Sequence, residues 1–163
     1  MSRSKVAWYG MVLLVLLLSA SAFCQETGDA YFNLVKESGT SEALKSTKSI
    51  STRAGSPYII NNFITNDNTN FTVQRVSLAS STVYYVARYL ATNTGNGTII
   101  YIITDAMGVT YYLKSFSTND TANAIYRGSI SISLSAGDYK FQTLYLDVSG
   151  NMAASEPFTF NLQ

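Results

Sequence analysis

The residues of this chain best suited to chemistry are hard oxygen donors gathered in turn-like stretches. Asn93, Asn96, Asn119, Asp120, Asp147, Ser149 and Asn151 all lie among Gly, Asn, Thr and Ser. Calcium takes about 6–8 such oxygens. If 92–97, 117–123 and 147–151 meet at one end of a fold, Asn93, Asp120, Asp147 and Asn151 are the candidate calcium ligands. The plainer reading is that turns need these residues, because they tolerate left-handed backbone and bond their own main chain. Nothing here has the fixed spacing of an EF-hand loop, so the plainer reading carries more weight.

Other chemistries are excluded by composition. The chain has no histidine and one cysteine, Cys24. That rules out Ser-His-Asp and Cys-His nucleophiles, and a His-ligated zinc or iron site. The acidic residues Asp67, Asp105, Asp120, Asp138, Asp147 and Glu156 show no paired spacing. Lys114 and Lys140 stand away from any nucleophile motif, and no glycine-rich phosphate loop precedes a helix. No enzyme activity is expected, and no cofactor beyond the calcium candidate.

Tyrosine is abundant, at 12 residues. Tyr84, Tyr112 and Tyr145 stand for a second possibility, a platform of exposed rings for sugars as in carbohydrate-binding modules. Packing across strands explains tyrosines in β-type runs more simply. Nucleic acid is not an expected partner. The formal net charge is +1; without Arg3 and Lys5, nine Lys and Arg face ten Asp and Glu, with no basic stripe.

These residues need elements to position them. Arg3 and Lys5 precede an apolar run over 6–18, followed by Ser19, Ala20, Ser21, Ala22, Phe23 and Cys24. That is the order of a secretory signal peptide, assigned to 1–24, with cleavage expected after Ala22 or Cys24. Two alternatives stay open: a lipoprotein signal acylated at Cys24, disfavoured by bulky Phe23 before it, and an uncleaved anchor helix. Export to the periplasm, cell surface or exterior is expected. Residues 25–56 are rich in Ser, Thr, Lys and Glu and are assigned as a flexible linker; for 29–37 a short helix or an added strand is the alternative to a plain spacer, and the spacer carries more weight.

From 57 to 163 the chain reads as one domain of β-type runs separated by Gly, Asn and Asp turns. Strands are expected at 58–64, 71–78, 82–91, 98–104, 109–116 and 125–134, with a polar loop at 117–123. Ile130, Ile132 and Leu134 alternate with Ser129, Ser131 and Ser133, which puts the former inward. A hairpin over 134–162 closes the domain. In it, Gly137-Asp138-Tyr139 opens a strand that ends in Asp147-Val148-Ser149-Gly150-Asn151. With Tyr126-Arg127-Gly128-Ser129-Ile130 upstream, this stretch resembles the closing strands of bacterial immunoglobulin-like and fibronectin type III-like domains. The resemblance covers about 71–162. It implies an immunoglobulin-like antiparallel β-sandwich of about seven to eight strands, with Tyr139 as the tyrosine that bonds the backbone near its turn. It says little of function.

One departure from the pattern bears on function. Tyr139, Phe141, Thr143 and Tyr145 share the inward parity, yet Leu144, Leu146 and Val148 occupy the outward one. Either a bulge near 142–143 reverses the phase, or the outer face is apolar. An apolar face would be covered by 58–64 or by 31–35, or else would meet a partner. Leu144, Leu146 and Val148 are therefore the candidate partner-binding residues. The expected role is a non-enzymatic module for structural or protein–protein interaction at the cell surface or outside the cell.

Overall fold

The structure is a computed structural model that describes residues 32–37, 56–67, 71, 73–79 and 83–163. The expected signal peptide and most of the expected linker lie outside the described residues. Those described are all β, in ten strands and two sheets that do not close into a barrel. No helix among them is long and apolar enough to cross a membrane.

The strands are β1 (Phe32–Lys36), β2 (Tyr58–Thr65), β3 (Ser77–Leu78), β4 (Val83–Ala91), β5 (Gly95–Asp105), β6 (Thr110–Asp120), β7 (Ala124–Ile132), β8 (Gly137–Leu146), β9 (Met152–Ala154) and β10 (Phe158–Leu162). One sheet has the order β1-β7-β4-β2, with every pairing antiparallel. The other runs β3-β10-β8-β5-β6, with β9 also against β8; the short β10–β3 pairing is parallel. The count exceeds seven to eight because β1 joins the first sheet and the closing strand is split at Ser155-Glu156-Pro157. Proline has no N–H to give a ladder, so it sits between β9 and β10.

Strand parity builds the core. Val83, Tyr85, Ala87, Tyr89 and Ala91 of β4 face Ile99, Tyr101 and Ile103 of β5 and Tyr139, Phe141 and Tyr145 of β8, all buried. Small Ala87 and Ala91 make room for large rings opposite. Tyr101 stacks on Phe141 at 5.5 Å, Tyr139 on Phe160 at 5.6 Å, and Tyr89 lies against Tyr145 at 4.3 Å. Tyr85 meets Phe141 and Phe160 edge-on. Burying one such ring contributes about 1.5–3 kcal/mol, and a well-placed ring pair about 0.5–1.5 kcal/mol more. The largest fully buried side chains of the core are therefore aromatic, set among Ile, Val, Leu and Ala.

Three expectations are corrected. The strand expected over 71–78 shrinks to Ser77–Leu78, with an isolated bridge at Arg75. Phe71, at a φ of 51°, turns instead onto the outer side of the first sheet. There it packs with Phe63 and Val86, meets Tyr84 edge-on at 5.4 Å and lies beneath the Arg127 guanidinium at 5.1 Å. The polar loop expected at 117–123 is strand through Asp120, because Ser117, Thr118, Asn119 and Asp120 continue the ladder with β5. Residues 32–36, expected as part of the linker, form β1 on the β7 edge.

Candidate functional site

The phase problem in β8 resolves without a bulge. The β5–β8 register is continuous from Thr98–Leu146 to Asp105–Tyr139, so Leu144 and Leu146 point outward from the second sheet. Leu144 is paired with Ile100 on one side and Ala154 on the other, and Leu146 with Met152. Ile102 on β5 is paired with Leu113 on β6. Residues paired across a ladder share a face, so Met152, Leu146, Leu144, Ile100, Ile102 and Leu113 form one apolar band. Met152 is 52% exposed and the other five are half-buried. Val148 lies just beyond the strand, 53% exposed and packed over Gly95.

Neither covering segment considered from sequence lies on this band. Residues 58–64 belong to β2 and 32–35 to β1, both in the opposite sheet; Tyr31 lies outside the described residues. Where β2 reaches β8 it does so from the inside, through Asn62 Nδ2, which donates to the Phe141 carbonyl at 2.7 Å. Among the described residues no strand lies over the band. The outer side of the first sheet differs, since Phe71 covers its apolar residues Phe63 and Val86.

The turn residues do gather at one end, but in two separate groups. In the first, Asp147 receives N–H donors from all sides. Ser149 N and Asn151 N donate to Oδ1 at 2.9 and 2.8 Å; Asn93 Nδ2 and Asn151 Nδ2 donate to Oδ2 at 2.7 and 3.0 Å. Burial pushes this carboxyl up, yet the bonds from Asn151, Asn93 and Ser149 outweigh it and leave Asp147 below the usual range. The groups that would share a cation with Asp147 instead turn their amide hydrogens toward it. This joins the 92–97 turn to the 147–151 turn.

Asp120 forms the second group and faces the interior. It is 2% exposed and accepts hydrogen bonds from Tyr89 Oη at 2.8 Å, Tyr145 Oη at 2.6 Å and Thr118 Oγ1 at 2.6 Å. Gly97 makes the room: a Cβ there would stand 2.6 Å from Asp120 Oδ2. Burial raises Tyr89 and Tyr145 well above the ordinary phenol range, and the Asp120 carboxylate raises them further. Asn93, Asp147 and Asn151 thus come together while Asp120 stands apart. No group of three or more His, Cys, Asp or Glu able to hold a metal occurs among the described residues.

Of the tyrosines considered as a sugar platform, two turn inward and the third is covered on the outer side by Phe71. Tyr145 and Tyr112 are buried, and Tyr84 is half-buried beside Phe71. Tyr111 is 43% exposed but stands edge-on to Tyr139. Sequence reasoning missed the role of Phe71 and the inward turn of Asp120, and held a strand over 29–37 only as an alternative to a spacer. Asp120 left a signal, since it continues the alternation Phe116, Thr118.

No family model matches the chain, and no curated protein matches it. Among solved structures, one described as "X-ray structure of Northeast Structural Genomics Consortium target SoR45" is similar over 67% of this chain and 88% of its own. The identity is 16% and the TM-score 0.36. At that overlap it bears on neither fold family nor function.

Proposed function

We propose that this chain is an exported, non-enzymatic immunoglobulin-like module that meets a protein partner through the outer face of its larger sheet. The observation that carries the reading is the apolar band of Leu144, Leu146, Ile100, Ile102, Leu113 and Met152, with Val148 at its end. Contiguous apolar surface is unusual on the outside of a monomer and marks interaction sites.

The immunoglobulin-like part rests on strand order. In both chain order and sheet position β2, β4 and β7 follow strands A, B and E, and β5, β8 and β10 follow C, F and G. Strand β6 is added beside C, and β1, which precedes A in the chain, takes the place beside E that strand D holds in seven-strand domains. Tyr139 Oη donates to the Ser135 carbonyl at 3.0 Å, the bond expected of the tyrosine at that corner. Export rests on the order of charge, apolar run and small residues over 1–24.

The test is site-specific photo-crosslinking in the cells that make the protein. A photoreactive residue replaces Leu146 in one variant and Asn61, on the opposite sheet, in another. A discrete protein adduct from position 146 and none from position 61 supports the reading. Equal yields from both, or none from 146, reject it. Fractionation of the same cells tests export: a product retained in the cytoplasm at full length counts against it.

A further inference from the structure

We propose that the β7 edge is a strand-acceptor groove, and that β1 is an exchangeable ligand which a second copy of this chain supplies in trans. The inference is independent of the apolar band, which lies on the other sheet.

The groove and its ligand are separable parts. On the ligand side stand only residues 32–37. Phe32 to Lys36 pair with Ile130 to Tyr126, and Glu37 N donates to the Ile125 carbonyl at 2.9 Å. Phe32 and Leu34 point inward against the core. Glu37 receives a two-pronged contact from Arg88, Nε at 3.0 Å and Nη2 at 2.6 Å. Every receiving group lies on β4 to β7. The Phe116 ring stacks on Phe32 at 4.5 Å and Tyr101 meets it at 6.2 Å. Gly128 forms the floor: a Cβ there would come 3.0 Å from Phe32 Cε2 and 2.8 Å from the Tyr101 hydroxyl.

Main-chain pairing supplies attraction in such a groove and alternate side chains supply selectivity. The recognised pattern is Phe-x-Leu-x-x-Glu, which this chain itself carries. That fixes the partner as another copy.

Two observations make exchange feasible. The strand beside β7 does not come from the β6–β7 connection. It comes from the far side of the 18 residues between Glu37 and Ser56, and a chain of that length spans up to about 60 Å when extended. The same connector therefore reaches its own groove or a neighbour's. Tethers of this order set effective concentrations in the millimolar range, so trans docking competes when copies are crowded to that level. Reciprocal exchange then closes a two-fold dimer. The second observation is the Tyr101 hydroxyl, fully buried beside Gly128 and Phe32 and without a hydrogen-bond partner among the described residues. Sealing an unpaired hydroxyl opposes docking, and release of β1 opens its surroundings to water.

The test uses full-length chains carrying Cys24→Ser. One population carries Asn33→Cys and the other Ser129→Cys, positions paired across β1 and β7. Mixed at about millimolar concentration in a thiol redox buffer, they are expected to form a heterodimer joined by a disulfide between positions 33 and 129, identified by mass spectrometry. Phe32→Ser with Leu34→Ser in the Asn33→Cys chain should lower its yield at least about tenfold. An undiminished yield overturns the proposal. So does the absence of heterodimer when the chain carrying both cysteines closes on itself. If that chain does not close, fluorescence anisotropy decides, with a labelled peptide of residues 30–39 added to the full-length F32S/L34S chain. Saturable binding, lost when the peptide carries Leu34→Ser, supports the groove. No binding up to about 1 mM, the tether's own concentration range, overturns it. An F32S/L34S chain that does not fold makes β1 obligatory and overturns exchange as well.

Discussion

Asp120 and Asp147 lie at the same end of the sandwich and are both buried, yet they hold opposite kinds of partner. Asp120, on the inner face of β6, accepts three hydroxyls from β4, β6 and β8 and ties the two sheets together. Asp147, just past β8, accepts four N–H groups and ties one turn to another. Two carboxylates in similar surroundings by composition thus do different work. Parity decides it, because an inward position forces a carboxylate on the core, while a turn position offers it main-chain amides.

The largest effect should follow loss of the inward carboxylate. Asp120→Ala strands the hydroxyls of Tyr89, Tyr145 and Thr118 and leaves a hole. At about 1–3 kcal/mol for an unpaired buried group, less than additively, the expected loss is about 3–5 kcal/mol in urea unfolding. A loss no greater than that of Asp147→Ala would erase the contrast between the two sites.

Alkali should probe the same site from the phenol side. Burial and Asp120 raise Tyr89 and Tyr145 above the ordinary value near 10. The folded state then keeps protons that the unfolded chain releases. Their contribution is fully present below about pH 10 and is lost as pH rises toward the folded values, by up to about 1.4 kcal/mol per phenol per pH unit. Tyrosinate absorbance from these residues should appear together with loss of near-ultraviolet dichroism. If it appears while the fold persists, the site is open to solvent.

Gly97→Ala sharpens the comparison sterically. The added methyl would meet Asp120 Oδ2 at 2.6 Å and the Leu146 carbonyl at 2.9 Å. Because backbone must yield, we expect about 1–3 kcal/mol of destabilisation. Gly150, in the turn beside Asp147, has nothing within 4 Å of its would-be Cβ but a φ of +78°. Alanine there should cost about 1 kcal/mol through backbone strain alone. Thermal midpoints of the two variants separate these causes.

The smallest effect belongs to acid. Asp147 is held below its ordinary value, so its stabilisation is present above about pH 4 and fades as pH falls through the folded value. Asn93→Ala with Asn151→Ala should flatten the stability profile below about pH 4 and lower stability at neutral pH by about 1 kcal/mol. A profile unchanged by both substitutions would place the acid sensitivity elsewhere.

Much of this architecture was legible, and the illegible parts share a cause. Ile130 and Ile132 read inward because their neighbours are serines, and both are buried. Tyr139 read as a corner residue, and its hydroxyl reaches the Ser135 carbonyl. Residues 117–120 read as a loop because polar composition outweighed alternation; Gly97 opposite leaves space for Thr118 and Asp120 inside. Phe71 read as a strand residue, since nothing local shows that the first sheet's outer face needs a cover. The clustering of Asn93, Asp147 and Asn151 was legible as a meeting of turns, but the direction of their amide hydrogens was not.

By itself the sequence determined the β class, the turn after β8, the inward parity of most strands and the apolar outward run of β8. Those follow from side-chain periodicity, a property of neighbours along the chain. Only tertiary structure decided that Asp120 faces three hydroxyls, that Phe71 covers Phe63 and Val86 on one sheet while Leu144 and Leu146 stay uncovered among the described residues, and that β1 docks beside β7. Each depends on what lies opposite across a layer or an edge, from residues tens of positions away.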